Sequence, residues 1–160
     1  MQLSKHFKLE EFEKSMTATR MGIKNKAGSG EIKNLTDVCY AVLEKVRVKY
    51  DKPVVVTSGY RSAELCEAIG SKKTSQHTKG EACDFEVIGV PNIKVAYFIE
   101  ANCDFDQLIL EYYCPDDDQK GWVHCSFSEG SNRKQVLTFD GKKYTNGLPE
   151  MKWSGGKVVE

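Results

Sequence analysis

From Glu31 to Tyr50 the apolar residues Ile32, Leu35, Val38, Cys39, Val42, Leu43 and Val46 recur at steps of three and four. That period predicts one long amphipathic helix with a single core-facing stripe. Pro53 closes it, and Val54-Val55-Val56-Thr57 reads as a short β-branched strand. Ser58-Gly59-Tyr60-Arg61 then turns the chain into a short helix that ends near Gly70. Ala82 to Val87 reads as a second strand, and Pro91 suits the first turn of a helix that buries Val95, Phe98 and Ile99. Gln107 to Tyr113 alternates, with Ile109, Glu111 and Tyr113 on one face and Leu108, Leu110 and Tyr112 on the other. In the next strand-like run Trp122, His124 and Ser126 share a face. Val136 to Phe139, then Asp140-Gly141 and Lys142-Lys143-Tyr144, predicts a hairpin.

Strands interspersed with helices, without strict βαβ alternation, indicate an α+β fold: a single domain with a mainly antiparallel sheet packed against helices. Residues 1–30 read as an N-terminal arm with one short helical piece anchored by Phe7, Leu9 and Phe12. Residues 31–146 form the main domain, and 147–160, rich in Gly and Lys, is expected to be a poorly ordered tail.

At 160 residues the chain is the size of one domain and can bury a core. Lys+Arg and Asp+Glu balance at 23 each, so no net field draws it to nucleic acid or to anionic lipid. No apolar run is long enough to span a bilayer, and the opening Met-Gln-Leu-Ser-Lys-His-Phe lacks the apolar core of a secretory signal. A monomer located in the cytoplasm is expected. The six cysteines form no C-x-x-C pair, so reduced, packed thiols are expected. Cys83 and Cys125 flank candidate ligands and, by strand alternation, point away from them. His6 reads as a surface or packing histidine.

The chemistry concentrates in Ser75-Gln76-His77-Thr78-Lys79-Gly80-Glu81-Ala82-Cys83-Asp84. Imidazole and carboxylate are ordinary zinc ligands, and His124 is the natural third. His77, Asp84 and His124 around one Zn2+ would leave the fourth tetrahedral position open, the layout of a catalytic rather than a structural site. The pattern S-x-H-x-x-G-x-A-x-D is met by Ser75, His77, Gly80, Ala82 and Asp84; Ser58-Gly59-Tyr60-Arg61-Ser62 precedes it and Trp122-x-His124 follows. With these motifs the chain resembles the zinc D-Ala-D-Ala carboxypeptidases and related phage endolysin peptidases, a superfamily that includes the D-Ala-D-Ala dipeptidases, the lysostaphin-type peptidases and the hedgehog signalling domain. The resemblance is strongest over residues 31–128, and the opening Leu3-Ser4-Lys5-His6-Phe7 is similar to small phage-encoded members.

The resemblance implies a hedgehog/D-Ala-D-Ala peptidase-like fold and a zinc peptidase acting on peptidoglycan stem peptides, as carboxypeptidase or as L-Ala-D-Glu-type endopeptidase. It also implies an endolysin that waits in host cytoplasm until the membrane is permeabilised. Arg61 follows a strand end and a turn, so a cleft position would let it bind a substrate carboxylate or carbonyl oxygen and stabilise developing charge. Ser75 is read as a contact to the substrate carboxylate or a turn cap, and Trp122 as a cleft wall or core filler.

The base departs from the family pattern. Members often place Asp or Glu three residues before the last histidine, and here that position is Gly121. Glu111, on an otherwise apolar strand, is the candidate base, because burial there would raise its pKa toward a useful range. Asp106 stands in reserve. A non-catalytic zinc-containing binding module of the same fold is the alternative.

Overall fold

The computed structural model describes residues 1–151 together with 153, 154, 157 and 158. Six strands form one sheet: β1 (Val54–Ser58), β2 (Ala82–Val87), β3 (Gln107–Glu111), β4 (Trp122–Ser126), β5 (Gln135–Phe139) and β6 (Tyr144–Asn146). Their spatial order is β1-β2-β4-β3-β5-β6, and only the β3–β5 pairing is parallel. The α+β, mainly antiparallel expectation is what the chain adopts.

Among the described residues six α-helices accompany the sheet: α1 (Leu9–Glu13), α2 (Met16–Met21), α3 (Ser29–Val38), α4 (Glu44–Tyr50), α5 (Ala63–Ala68) and α6 (Asn92–Asn102). The helix expected over 31–50 is continuous in space but not uniform. A π turn at Cys39–Leu43 joins α3 to α4, and Cys39, Val42 and Leu43 within it are all buried. Pro91 caps α6 from outside rather than entering its first turn. The main core collects Leu35, Val38, Val42 and Val46 from this long helix against Phe85, Leu108, Val123 and Cys125 of the sheet.

The first thirty residues join that core through Leu3, Phe7, Leu9 and Phe12, and they hold two helices where one was expected. Glu44, at the start of α4, accepts hydrogen bonds from Ser4 Oγ at 2.6 Å and His6 N at 2.9 Å, and its Oε1 lies 2.6 Å from His6 Nδ1. His6 is therefore a packing histidine that ties the segment to the long helix.

Two strand expectations need correction. β3 stops at Glu111, because Tyr112 adopts a left-handed conformation with φ +54°. That reversal moves Tyr112 off the face of Leu108 and Leu110 and onto the rings of Trp122 and Phe139, while Tyr113 packs with Leu110. The β5–β6 hairpin is present, but its loop is longer than Asp140-Gly141 alone. Asp140 Oδ1 accepts from the backbone of both Lys142 and Lys143 and closes a wider turn.

The tail expected from 147 onward lies partly outside the described residues. Its beginning is held, with Gly147 N donating to Val136 O and the Tyr97 hydroxyl donating to Pro149 O. No helix among the described residues is long and apolar enough to cross a membrane.

Candidate metal centre and active site

Strand register assembles the cluster. Asp84 on β2 is the Cα partner of both Ser58 on β1 and His124 on β4, and His124 is in turn the partner of Ile109 on β3. Directly paired residues project to the same face of a sheet, so Asp84 and His124 emerge side by side. His77 comes from outside the sheet, on a 3-10 turn at Gln76–Lys79 that Ser75 caps by accepting the His77 N–H at 3.2 Å.

The ligand atoms of His77, Asp84 and His124 all lie within 4.8 Å of one another, and all three residues are buried. His124 Nδ1 is 2.9 Å from Asp84 Oδ1, and His77 Nε2 is 3.6 Å from the same oxygen. His77 Nδ1 is 2.7 Å from the carbonyl of Gly59. A carbonyl accepts only, so Nδ1 carries the proton and Nε2 presents its lone pair to the cluster. Burial lowers the His77 pKa, against the opposing pull of Asp84, which favours the neutral ring that a metal requires. Burial would raise the Asp84 pKa, but the hydrogen bond with His124 and the nearness of His77 outweigh it and hold the carboxyl well below its ordinary range. Two imidazoles and one carboxylate, convergent and shielded, fit a zinc ion with one position left for substrate.

The chain around Arg61 is set by the amino-terminal segment. β1 ends in an irregularity between Val56 and Ser58 that turns the strand out of register. Beyond it, Tyr60 N donates to Phe12 O at 2.8 Å, and the buried Asn25 side chain bridges Glu13 O, Tyr60 O and Ser62 N. Arg61 N donates to His77 O, its Nε donates to Ser58 Oγ at 3.1 Å, and its Nη2 lies 3.4 Å from Asp84 Oδ2. The guanidinium thus stands beside the cluster.

Arg61, His77, Asp84, Glu111, His124 and Tyr144 are among the residues around one open cavity of ≈ 300 Å³, whose lining also includes Ser75 and Trp122. A larger cavity, ≈ 440 Å³, lies beside α1 and α2, away from the cluster. Glu111 is the partner of Trp122, so it is the diagonal neighbour of His124, roughly 7–8 Å away at the backbone and within reach of a glutamate side chain. Burial raises its pKa, the Asp84 charge adds to this, and His124 and Arg61 pull the other way.

Asp106 does not line this cavity. Its carboxylate, buried, takes both Nε and Nη2 of Arg133 at 3.0 Å, and Gln76 Nε2 at 2.9 Å. That pairing holds it below its ordinary pKa, which suits an anchor rather than a base. Gly121 has a physical reason to be glycine. Its φ is +79°, and a Cβ there would lie 1.9 Å from the carbonyl oxygen of Glu111. All six cysteines are free, with Cys83 and Cys125 fully buried on paired positions beneath the site, and burial pushes both thiols well up.

Sequence reasoning missed Gln107, Ile109 and Tyr144 in the lining. The first two share the Glu111 face of β3 by alternation and could have been named. Tyr144 could not, because it depends on the parallel β3–β5 pairing.

The chain matches the family model described as Peptidase M15 over residues 5–126. It belongs to that family of zinc-dependent, D-Ala-D-Ala carboxypeptidase-like peptidases. A comparison with curated proteins gave no match.

Proposed function

We propose that the protein is a zinc peptidase that cuts the peptide stems of bacterial peptidoglycan, and that it serves as a monomeric phage endolysin held in host cytoplasm until the membrane is breached. The observation that carries this reading is the meeting of His77, Asp84 and His124 with Arg61 on one flank and the half-buried Glu111 on the other, in one open cavity. Zinc bound by the three ligands supplies a Lewis acid for the scissile carbonyl. Glu111 takes the proton of the attacking water and returns it to the leaving amine, the task to which its raised pKa is suited. Arg61 holds a substrate carboxylate or carbonyl oxygen and offsets the charge that develops at the tetrahedral carbon. Ser75 adds a hydroxyl toward the substrate carboxylate, and Trp122 walls the cleft. The non-catalytic alternative rested on Gly121, and the place of Glu111 in the cavity supports the enzyme instead.

The test is mass spectrometry of muropeptides after incubation of purified cell wall with zinc-loaded protein, beside a chelated control. Chelator-sensitive new fragments are expected, with masses that name the bond cut. Unchanged muropeptides across several wall chemotypes would remove the peptidase reading.

A further inference from the structure

The flank of the cavity opposite Arg61 is aromatic, and part of it is built by a hairpin beyond the family match at residues 5–126. Trp122, Glu111, Phe139 and Tyr144 are successive Cα partners across β4, β3, β5 and β6. They form one transverse row on the face that carries His124. Tyr144 stacks on Phe139 with centroids 4.4 Å apart, Phe139 meets Tyr112 edge-on at 5.2 Å, and Tyr112 leans on Trp122 at 5.0 Å. Chained contacts of this kind fix the rings in place. Yet Tyr144 keeps 57% of its surface exposed, and it borders the same cavity as the metal cluster.

Resting on the peptidase reading above, we propose that Tyr144 is a specificity-determining residue. Its exposed ring is a platform for the extended peptide on the Glu111 side of the scissile bond, where it packs an alanine-sized side chain and the adjoining peptide plane. Asp84 on β2 and Tyr144 on β6 are four strand spacings apart, about 19 Å at the backbone. A dipeptide, about 7 Å long, spans a smaller part of that distance than a stem pentapeptide does. The hairpin therefore favours longer stems over a free dipeptide.

The experiment uses the whole zinc-loaded chain with Glu111→Gln to suppress turnover, titrated calorimetrically with a D-Ala-D-Ala dipeptide and with a stem pentapeptide. Adding Tyr144→Ala is expected to weaken pentapeptide binding about tenfold and leave dipeptide binding unchanged, while Tyr144→Phe keeps the affinity of the parent. Pentapeptide affinity indifferent to Tyr144→Ala, or no pentapeptide binding at all, overturns the proposal. A loss seen only with disaccharide-bearing muropeptides also overturns it and gives the ring to the glycan. Wild-type turnover is measured beside these titrations. Tyr144-dependent binding without turnover would cost the peptidase reading alone, and turnover with Tyr144-indifferent binding would cost this inference alone.

Discussion

The His77 Nδ1 lies 2.7 Å from the carbonyl oxygen of Gly59, so one turn both aims a ligand and leads into Arg61. Gly59 is held against α1, where a Cβ would lie 2.7 Å from Phe12 O and 2.8 Å from Phe12 Cα. Backbone cannot yield as a flexible side chain can, so Gly59→Ala must displace the carbonyl that fixes the His77 tautomer. Loss of such an outer partner is expected to weaken zinc binding about 10- to 100-fold. Competition titration against a zinc indicator reads this directly, and an unchanged affinity in the folded variant refutes the link.

Glu111→Gln keeps the size of the side chain and removes the base. Turnover is expected to fall by about 10²–10⁴, with zinc retained at one equivalent. Catalysis needs the carboxylate form, and the groups facing it are Asp84, His124, Arg61 and Tyr144. Burial raises the Glu111 pKa and bound zinc would pull it back, so the wild-type profile should show an acidic limb that the residual Glu111→Gln activity lacks. A pH–rate profile unaltered by the substitution would take Glu111 out of the mechanism.

Much of this was legible because the local signals agree. The Ser75–Asp84 motif, the His124 strand and the apolar setting of Glu111 each announce a residue that does reach the cavity. The rest is long-range. The left-handed backbone of Tyr112 reverses an alternation that looked regular, and no pattern in β3 foretells it. Asp106 reads as a free acid in sequence, because Arg133 and Gln76 reach it only through the fold. The β3–β5 pairing that brings Tyr144 across is parallel, and its register is invisible in either strand alone.

Asp106 anchors the His77 turn, through Gln76, to the start of β3 and to Arg133. Asp106→Asn is expected to cost about 2 kcal/mol at neutral pH, a figure kept low because Arg133 is partly exposed and its pairing screened. The folded pKa is depressed, by the Arg133 hydrogen bonds first. The stabilisation is therefore present above the unfolded value of about 3.9 and lost as pH falls through the lower folded value. Urea unfolding of both proteins should show a gap that narrows toward pH 3. An equal gap at pH 7 and pH 3 would mean that the ion pair contributes nothing.

Gly121 occupies the position where a family carboxylate is often found, and the fold explains why none stands there. Its φ of +79° is unfavourable for any residue with a side chain, and its place against the Glu111 and Tyr112 carbonyls leaves no room for a Cβ. Gly121→Asp is therefore expected to open the β3–β4 connection and to destabilise the protein by about 2–4 kcal/mol, combining backbone strain with overpacking. The same displacement would move the Glu111 backbone, so the added carboxylate should not replace the lost one. In the double variant Glu111→Gln with Gly121→Asp, turnover should stay at or below that of Glu111→Gln alone. Recovery of activity in the double variant would show that the β3–β4 turn can accept a base at the family position.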